Sequence, residues 1–139
     1  MGLHRATVLS CALILCAALS GLGTLAVGQA GPAGPATVAQ AAFPLTVKAG
    51  AYGLITVVFD FAPGSGVPKH VHGGPVVATV ISGELTLQQG GGEKVIKAGE
   101  SWTEKTGEVH AVVNKSEGVT RVVVSLLLPK GAAATTLVK

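Results

Sequence analysis

Short apolar runs rich in β-branched residues follow one another from residue 43 onward, separated by glycine and proline. This pattern is typical of an all-β fold. No helical period is seen after residue 43, because glycine or proline interrupts nearly every window of suitable length. The pattern predicts strands at residues 43–48, 52–61, 69–72, 76–82, 84–88, 93–97, 101–103, 108–114 and 119–128.

Eight or nine short strands in about ninety residues form either a sandwich or a barrel. The core of such a small domain is marginal, so burial of its apolar side chains is the main stabilising term. An edge strand that pairs with a second copy would add buried surface, which leaves a homodimer open. The residues expected in the core are Val57, Phe59, Val80, Leu85, Ile96, Trp102, Val112, Val122, Val124 and Leu126.

The first thirty residues have the three-part pattern of a secretory signal peptide. Arg5 supplies a charged start, residues 6–19 are almost entirely apolar, and the small residues at 28–30 offer a cleavage site, with 39–41 as a second candidate. We therefore expect a signal peptide over residues 1–30, or extending to residue 41. The mature protein would be secreted or periplasmic, without stable membrane insertion after cleavage.

Two rival interpretations of the N-terminal segment stay open. Residues 6–28 are long enough to span a bilayer as an uncleaved anchor, although glycine and serine in their second half favour cleavage. A lipoprotein signal fits less well, because Leu15 precedes Cys16 where lipid modification requires a small residue.

The rest of the chain divides where its composition changes. Residues 31–42 are small and contain proline, and we expect them to form a flexible linker. Residues 43–130 are expected to form the β-barrel domain, and residues 131–139 a C-terminal tail.

Composition and charge narrow the chemistry of the mature domain. Cys11 and Cys16 both lie in the N-terminal apolar run, so any metal must be held by nitrogen or oxygen ligands. Without Arg5 the chain has nine basic and seven acidic residues, a net charge of +2. The basic residues are scattered singly, which argues against nucleic-acid binding.

Three histidines carry the strongest chemical signal. His70 and His72 are separated by one residue on a predicted strand, so their imidazoles share one face and are spaced to chelate one ion. His110 lies on another predicted strand and could supply a third ligand if the two strands pair or face each other. The histidines alone are also compatible with solvated side chains on an exposed strand.

Residues 63–83, PGSGVPKHVHGGPVVATVISG, resemble the first motif of the cupin superfamily. That motif consists of a glycine, five residues, His-x-His, an acidic position and a closing glycine. Gly64, His70, His72 and Gly83 fall on this pattern.

Residues 99–114, GESWTEKTGEVHAVVN, resemble the second cupin motif. Its positions correspond to Gly99, Gly107, His110 and Asn114. The resemblance implies a small single-domain cupin: a jelly-roll β-barrel of two sheets, with a metal deep in the barrel mouth.

The sequence departs from the family pattern at two positions. The metal-binding glutamate of the first motif would fall on Val76, and its neighbours Pro75 and Val77 cannot replace it. The customary proline of the second motif is Lys105. We therefore expect a neutral set of three histidines, which suits a divalent transition metal with open coordination positions. The resemblance favours Fe(II), with zinc, manganese and nickel as alternatives.

The resemblance implies an Fe(II) dioxygenase or related oxidoreductase that acts on a small chelating substrate. The alternatives are a non-catalytic module that binds a small molecule or a metal, and a remnant fold that has lost its metal. No catalytic residue is assigned, because the glutamates near the motifs are expected to be solvated. The polar candidates are Tyr52, Glu84, Glu104 and Glu108.

Two further residues have competing explanations. Trp102 is expected to be a core residue rather than a surface on which a ligand stacks. Asn114 closes the second motif, but a turn-forming role beside Lys115 and Ser116 explains it equally well.

Overall fold

The computed structural model describes residues 37–139, which form nine β-strands and no helix. The all-β prediction is therefore confirmed. None of these residues belongs to a helix that is long and apolar enough to cross a membrane. The strands are β1 (Tyr52–Phe61), β2 (Gly66–Val71), β3 (Val76–Ser82), β4 (Glu84–Gln89), β5 (Gly92–Lys97), β6 (Ser101–Glu104), β7 (His110–Val113), β8 (Thr120–Pro129) and β9 (Thr136–Leu137).

The strands form two sheets in which every pairing is antiparallel. The four-stranded sheet has the order β1-β8-β3-β6, and the five-stranded sheet the order β5-β4-β7-β2-β9. Consecutive strands often lie in different sheets, so the chain passes repeatedly between the two layers, as expected of a jelly roll. This topology places β2 and β7, which carry the histidines, next to each other in the five-stranded sheet.

The core lies between the sheets and takes apolar side chains from both. Val80 and Val122 come from the four-stranded sheet, and Leu85 and Ile96 from the other; all four are at most 1% exposed. Phe59, which the sequence places in the core, is 45% exposed, because β1 is an edge strand with a neighbour on one side only. The remaining predicted core residues are buried or partly buried.

The ends of the domain differ from the sequence-based expectation. The predicted strand at 43–48 is wrong: this segment has no regular secondary structure, and Pro44 in it lacks an amide proton for a sheet ladder. At the other end, the expected tail at 131–139 contains β9, which pairs with β2. The predicted signal peptide at 1–30 and residues 31–36 of the predicted linker lie outside the described residues.

Candidate metal centre

His70 and His110 face each other across the pair β2–β7. Their Cα atoms are direct partners in the register, and a register shift between Val67 and His70 marks a β-bulge or another irregularity in β2. A bulge changes the direction of the side chains that follow it and is common beside functional sites. Pro68 lies within this irregular stretch. This irregular stretch therefore sets where His70 stands relative to His110.

His72 follows directly after the end of β2 and faces the same interior as His70. Both histidines are buried, at 4% and 7% exposure, whereas Lys69 between Pro68 and His70 is exposed, as alternation along a strand predicts. The ring centroids of His70 and His110 lie 4.1 Å apart, and those of His72 and His110 lie 5.0 Å apart. One ring nitrogen from each of the three histidines lies within 4.8 Å of the others. The three predicted residues therefore come together inside the barrel.

All three histidines are oriented in the same way, through Nδ1. A carbonyl oxygen only accepts hydrogen bonds, so each Nδ1 next to one must carry the proton. In a neutral imidazole this leaves the lone pair on Nε2, the atom free to bind a metal. The accepting carbonyls are those of Pro68 for His70 at 2.8 Å, Ala134 for His72 at 2.6 Å and Glu108 for His110 at 2.8 Å.

The C-terminal segment supplies one wall of this centre. The amide of Gly73 donates to the carbonyl of Ala133, and the amide of Val138 donates to the carbonyl of Lys69. These bonds dock the segment along β2, where the Ala134 carbonyl meets His72. The Thr135 hydroxyl also lies 3.3 Å from Nδ1 of His72. Residues near the end of the chain therefore fix the orientation of a predicted ligand.

A carboxylate completes the cluster. Oε2 of Glu104 lies 3.0 Å from Nε2 of His72 and 3.1 Å from Nε2 of His110. Glu104 is 4% exposed, so the expectation that this glutamate is solvated is wrong. Its side chain faces inward because Glu104 ends β6 two residues after the buried Trp102.

Trp102 holds Glu104 in place. Its Nε1 donates a 2.8 Å hydrogen bond to Oε1 of Glu104, inside the protein. The prediction that Trp102 is a core residue is confirmed, and the indole also orients the carboxylate. A Trp-x-Glu sequence on a strand, which places an indole donor and a carboxylate on one face, is the signal that could have revealed this pair.

The charges in the centre are coupled. Burial opposes the ionised form of Glu104, but the contacts with His110 and His72 outweigh it and lower its pKa to about 2. Burial also disfavours the charged form of His110, yet the neighbouring Glu104 raises the pKa of that imidazole overall. His70 has no carboxylate in contact, and burial lowers its pKa. At neutral pH the centre thus holds an ionised carboxylate among imidazoles.

Two buried atoms of the centre have no hydrogen-bond partner: Oε2 of Glu104 and Nε2 of His110. They lie 3.1 Å apart, yet no hydrogen bond joins them. Two donors about 2.1 Å from one ion and at right angles to each other lie about 3.0 Å apart. The separations of Oε2 from Nε2 of His72 and of His110 match that spacing, so these three atoms fit one metal ion.

A small cavity adjoins the centre. Its volume is about 80 Å³, and most of its walls are apolar. An apolar cavity of roughly 150 Å³ holds benzene, so this one admits only a smaller molecule unless the walls move. The lining residues are Phe59, Phe61, Val67, His70, His72, Leu85, Trp102, Glu104, Val112, Val122, Val124 and Thr135.

The remaining motif residues shape the backbone around the centre. Gly107 has a φ of 73°, and its amide donates to the carbonyl of His72, which ties the loop before His110 to the first histidine pair. Gly83 has a φ of 78°, and a Cβ there would lie 2.6 Å from the Thr120 hydroxyl. Both positions therefore favour glycine.

Asn114 is fully buried, and its side-chain hydrogen bonds go to residues other than the histidines. Its Nδ2 donates to the carbonyls of Phe61 and Gly118, and its Oδ1 accepts from the amide and hydroxyl of Ser116. The turn-forming explanation of Asn114 is therefore confirmed.

Comparison with known proteins places these features in a family. A family model described as "Cupin domain" matches residues 57–126, about half of the chain. A comparison with curated proteins finds no significant sequence match.

Several solved structures share the fold. An uncharacterised conserved protein with a double-stranded β-helix domain from Klebsiella pneumoniae is 32% identical, with a TM-score of 0.54; the match covers 62% of this chain and 75% of that protein. An oxalate oxidase in complex with the substrate analogue glycolate is 26% identical, with a TM-score of 0.54 and 62% of this chain covered. The match spans only 46% of the oxalate oxidase.

The polyketide cyclase RemF from Streptomyces resistomycificus is 22% identical, with a TM-score of 0.54. The match covers 62% of this chain and 61% of the cyclase. At this identity the likeness concerns the fold alone.

Proposed function

This chain belongs to the cupin family, and from that premise we propose that it is an exported metal-dependent oxidoreductase acting on a small chelating substrate. His70, His72 and His110 would hold a divalent transition metal, with Fe(II) as the favoured ion. A bound metal of this kind would supply Lewis acidity and, as iron, redox chemistry beside the cavity.

The observation that carries the proposal is the shared orientation of the three histidines. Each Nδ1 donates to a backbone carbonyl, so three Nε2 lone pairs are fixed in one buried place. Because each Nδ1 proton is satisfied by the backbone, each Nε2 is left free to bind a metal. Partners of this kind orient metal-binding histidines in general, and their loss weakens metal affinity.

The cavity supports a substrate of only a few non-hydrogen atoms. Its volume of about 80 Å³ is roughly half that of a cavity that holds benzene. The structurally similar oxalate oxidase binds glycolate, a two-carbon acid. A short hydroxy acid or dicarboxylic acid is therefore the substrate class that we propose, since such a molecule can chelate a metal and still fit.

The apolar lining of the cavity favours a second function, a non-catalytic module that binds a metal or a small molecule. Apart from the histidines, Glu104 and Thr135 are the polar residues in the lining. A catalytic pocket usually holds a further acid or base that is free to exchange protons with substrate. Glu104 has one oxygen bonded to Trp102 and the other against the histidines.

Metal analysis tests the proposed function. Protein purified without chelator is expected to contain about one equivalent of a divalent transition metal per chain, and a chelator should lower its melting temperature, because the metal binds only the folded state. Inductively coupled plasma mass spectrometry gives the content and identity of the metal. Less than about a tenth of an equivalent, unchanged after Fe(II) or Zn(II) is added, would show a remnant fold without a site.

Oxygen consumption separates the enzyme from the binding module. The iron-loaded protein is expected to consume oxygen with at least one short hydroxy or dicarboxylic acid, diketone or thiol. The metal-free protein is the control. Stoichiometric iron without uptake on any of these compounds would favour the binding module.

Export rests on the N-terminal pattern of Arg5, the apolar run and the small residues before position 31. Full-length protein expressed in a bacterium is expected in the periplasm, with a mature N-terminus after residue 30 or 41. N-terminal sequencing checks this, and an intact Met1 in the cytoplasmic fraction would contradict it.

A further inference from the structure

Val76 and Glu104 are direct partners across the strand pair β3–β6. Directly opposed residues of an antiparallel pair point to the same face of the sheet, with Cβ atoms about 5 Å apart. Val76 is 1% exposed and packs with Leu126 and Leu128, so position 76 faces the interior. Glu104 therefore projects into the barrel beside the position where the first motif would have its glutamate.

The contacts of Glu104 do not form a self-sufficient hydrogen-bond network. The neutral histidines carry their protons on Nδ1, so Nε2 of His72 and of His110 present lone pairs. Oε2 of Glu104 lies 3.0 and 3.1 Å from these two nitrogens, and neither Oε2 nor Nε2 of His110 has a hydrogen-bond partner. Polar atoms this close inside a protein are stable only when a proton or a cation lies between them.

We infer that Glu104 is the carboxylate ligand of the metal centre, supplied by β6 in place of the β3 position occupied by Val76. The inference rests on the proposed function, because it assigns a ligand to the same metal. Oε1 is engaged by Trp102, so Oε2 alone would bind the metal. The donor set becomes three imidazoles and one carboxylate, and the net charge of a divalent centre falls from +2 to +1.

The same geometry also allows Glu104 to be an anion that merely pairs with histidines when no metal is present. The two roles differ in what the carboxylate must do. If Glu104 is a ligand, its carboxylate has to place an oxygen within bonding distance of the ion. A carboxylate on the neighbouring strand could then take over this role. An anion that acts only on the metal-free protein would leave metal affinity unchanged when removed, or raise it.

Isothermal titration with Co(II) on matched variants tests the inference. Glu104→Gln keeps the shape of the side chain and an acceptor for Trp102, and we expect it to lower Co(II) affinity by about 100-fold. The visible absorption of bound Co(II) should change with it, because one donor is lost. Glu117→Gln removes the same charge from an exposed position and should leave the affinity unchanged.

A carboxylate swap gives the sharper result. Glu104→Val alone should lose Co(II) affinity, and the double variant Val76→Glu/Glu104→Val should recover most of it, since position 76 lies directly opposite. Recovery would support ligation, because restored packing alone cannot bring back a donor. A Glu104→Gln affinity equal to that of the wild type would overturn the inference and leave the three-histidine centre intact.

Infrared difference spectroscopy on the wild-type protein tests the inference even if the variants do not fold. Addition of Zn(II) to the metal-free protein should shift one carboxylate stretching band to the position of a singly bonded carboxylate. Stoichiometric binding without that shift would exclude Glu104 as a ligand. Failure of the wild type to bind any ion would instead refute the proposed function.

Discussion

Replacing His110 with alanine is expected to lower the affinity for divalent metals by more than about 100-fold, because loss of a direct ligand should exceed the effect of losing a ligand's hydrogen-bond partner. The side chain of His110 is fully buried, and its Nε2 faces Glu104. Alanine removes a donor and leaves space that the other residues cannot fill. Isothermal titration with Zn(II) or Co(II) at neutral pH measures the loss.

Val109→Ala is the matched control for this prediction. Val109 lies just before β7 and is 47% exposed, so its loss should leave metal affinity unchanged. Circular dichroism of the metal-free variants would show that both still fold. Wild-type affinity in a folded His110→Ala protein would remove His110 from the ligand set.

Replacing Asn114 with alanine is expected to have the largest effect on stability. The side chain is fully buried and bridges the end of β1 to the turn between β7 and β8 through four hydrogen bonds. Alanine would leave buried carbonyls without this donor, which costs about 3 kcal/mol in total. For a domain of this size the melting temperature should fall by roughly 15 °C.

Thermal denaturation in the presence of a chelator measures this effect without any contribution from bound metal. Ser116→Ala removes only the hydroxyl that reaches Oδ1 of Asn114, and it should cost less than about 1 kcal/mol. Metal affinity below the melting transition should change little in either variant. An Asn114→Ala protein as stable as the wild type would show that the bridge contributes nothing.

Strand positions and the histidine cluster could be predicted from the sequence. The predicted strand at 52–61 matches β1, and that at 76–82 matches β3, because turn residues bound both β-branched runs. His70 and His72 were predicted to share a face because side chains alternate along a strand. The position of His110 needed the family resemblance, since residue order alone does not say which strands are neighbours.

Glu104 could not be assigned in this way. Alternation along β6 shows that Glu104 and Trp102 share a face, but not that this face points to the histidines. The partnership of Glu104 with Val76 depends on the register between β3 and β6, which long-range packing sets. Buried glutamate is also rare, so its residue type favours the surface until a partner is known.

The C-terminal strand was missed for another physical reason. Strand β9 has only two residues, and residues 131–135 before it are glycine, alanine and threonine, so no apolar alternation marks a strand here. The segment is held by backbone bonds to Gly73 and Lys69 rather than by buried side chains. Such pairing depends on the strand already present beside it, here β2, and leaves little trace in the local pattern.

Trp102 is the only tryptophan in the chain, and its indole proton is bonded to the carboxylate nearest the histidines. Indole emission responds to the charge and polarity around the ring, so the protein has an intrinsic optical reporter at its centre. Occupancy could be followed by fluorescence in solution, without a label. The wavelength and intensity of that emission would also register any compound that enters the neighbouring cavity, which makes library screening against the unmodified protein practical.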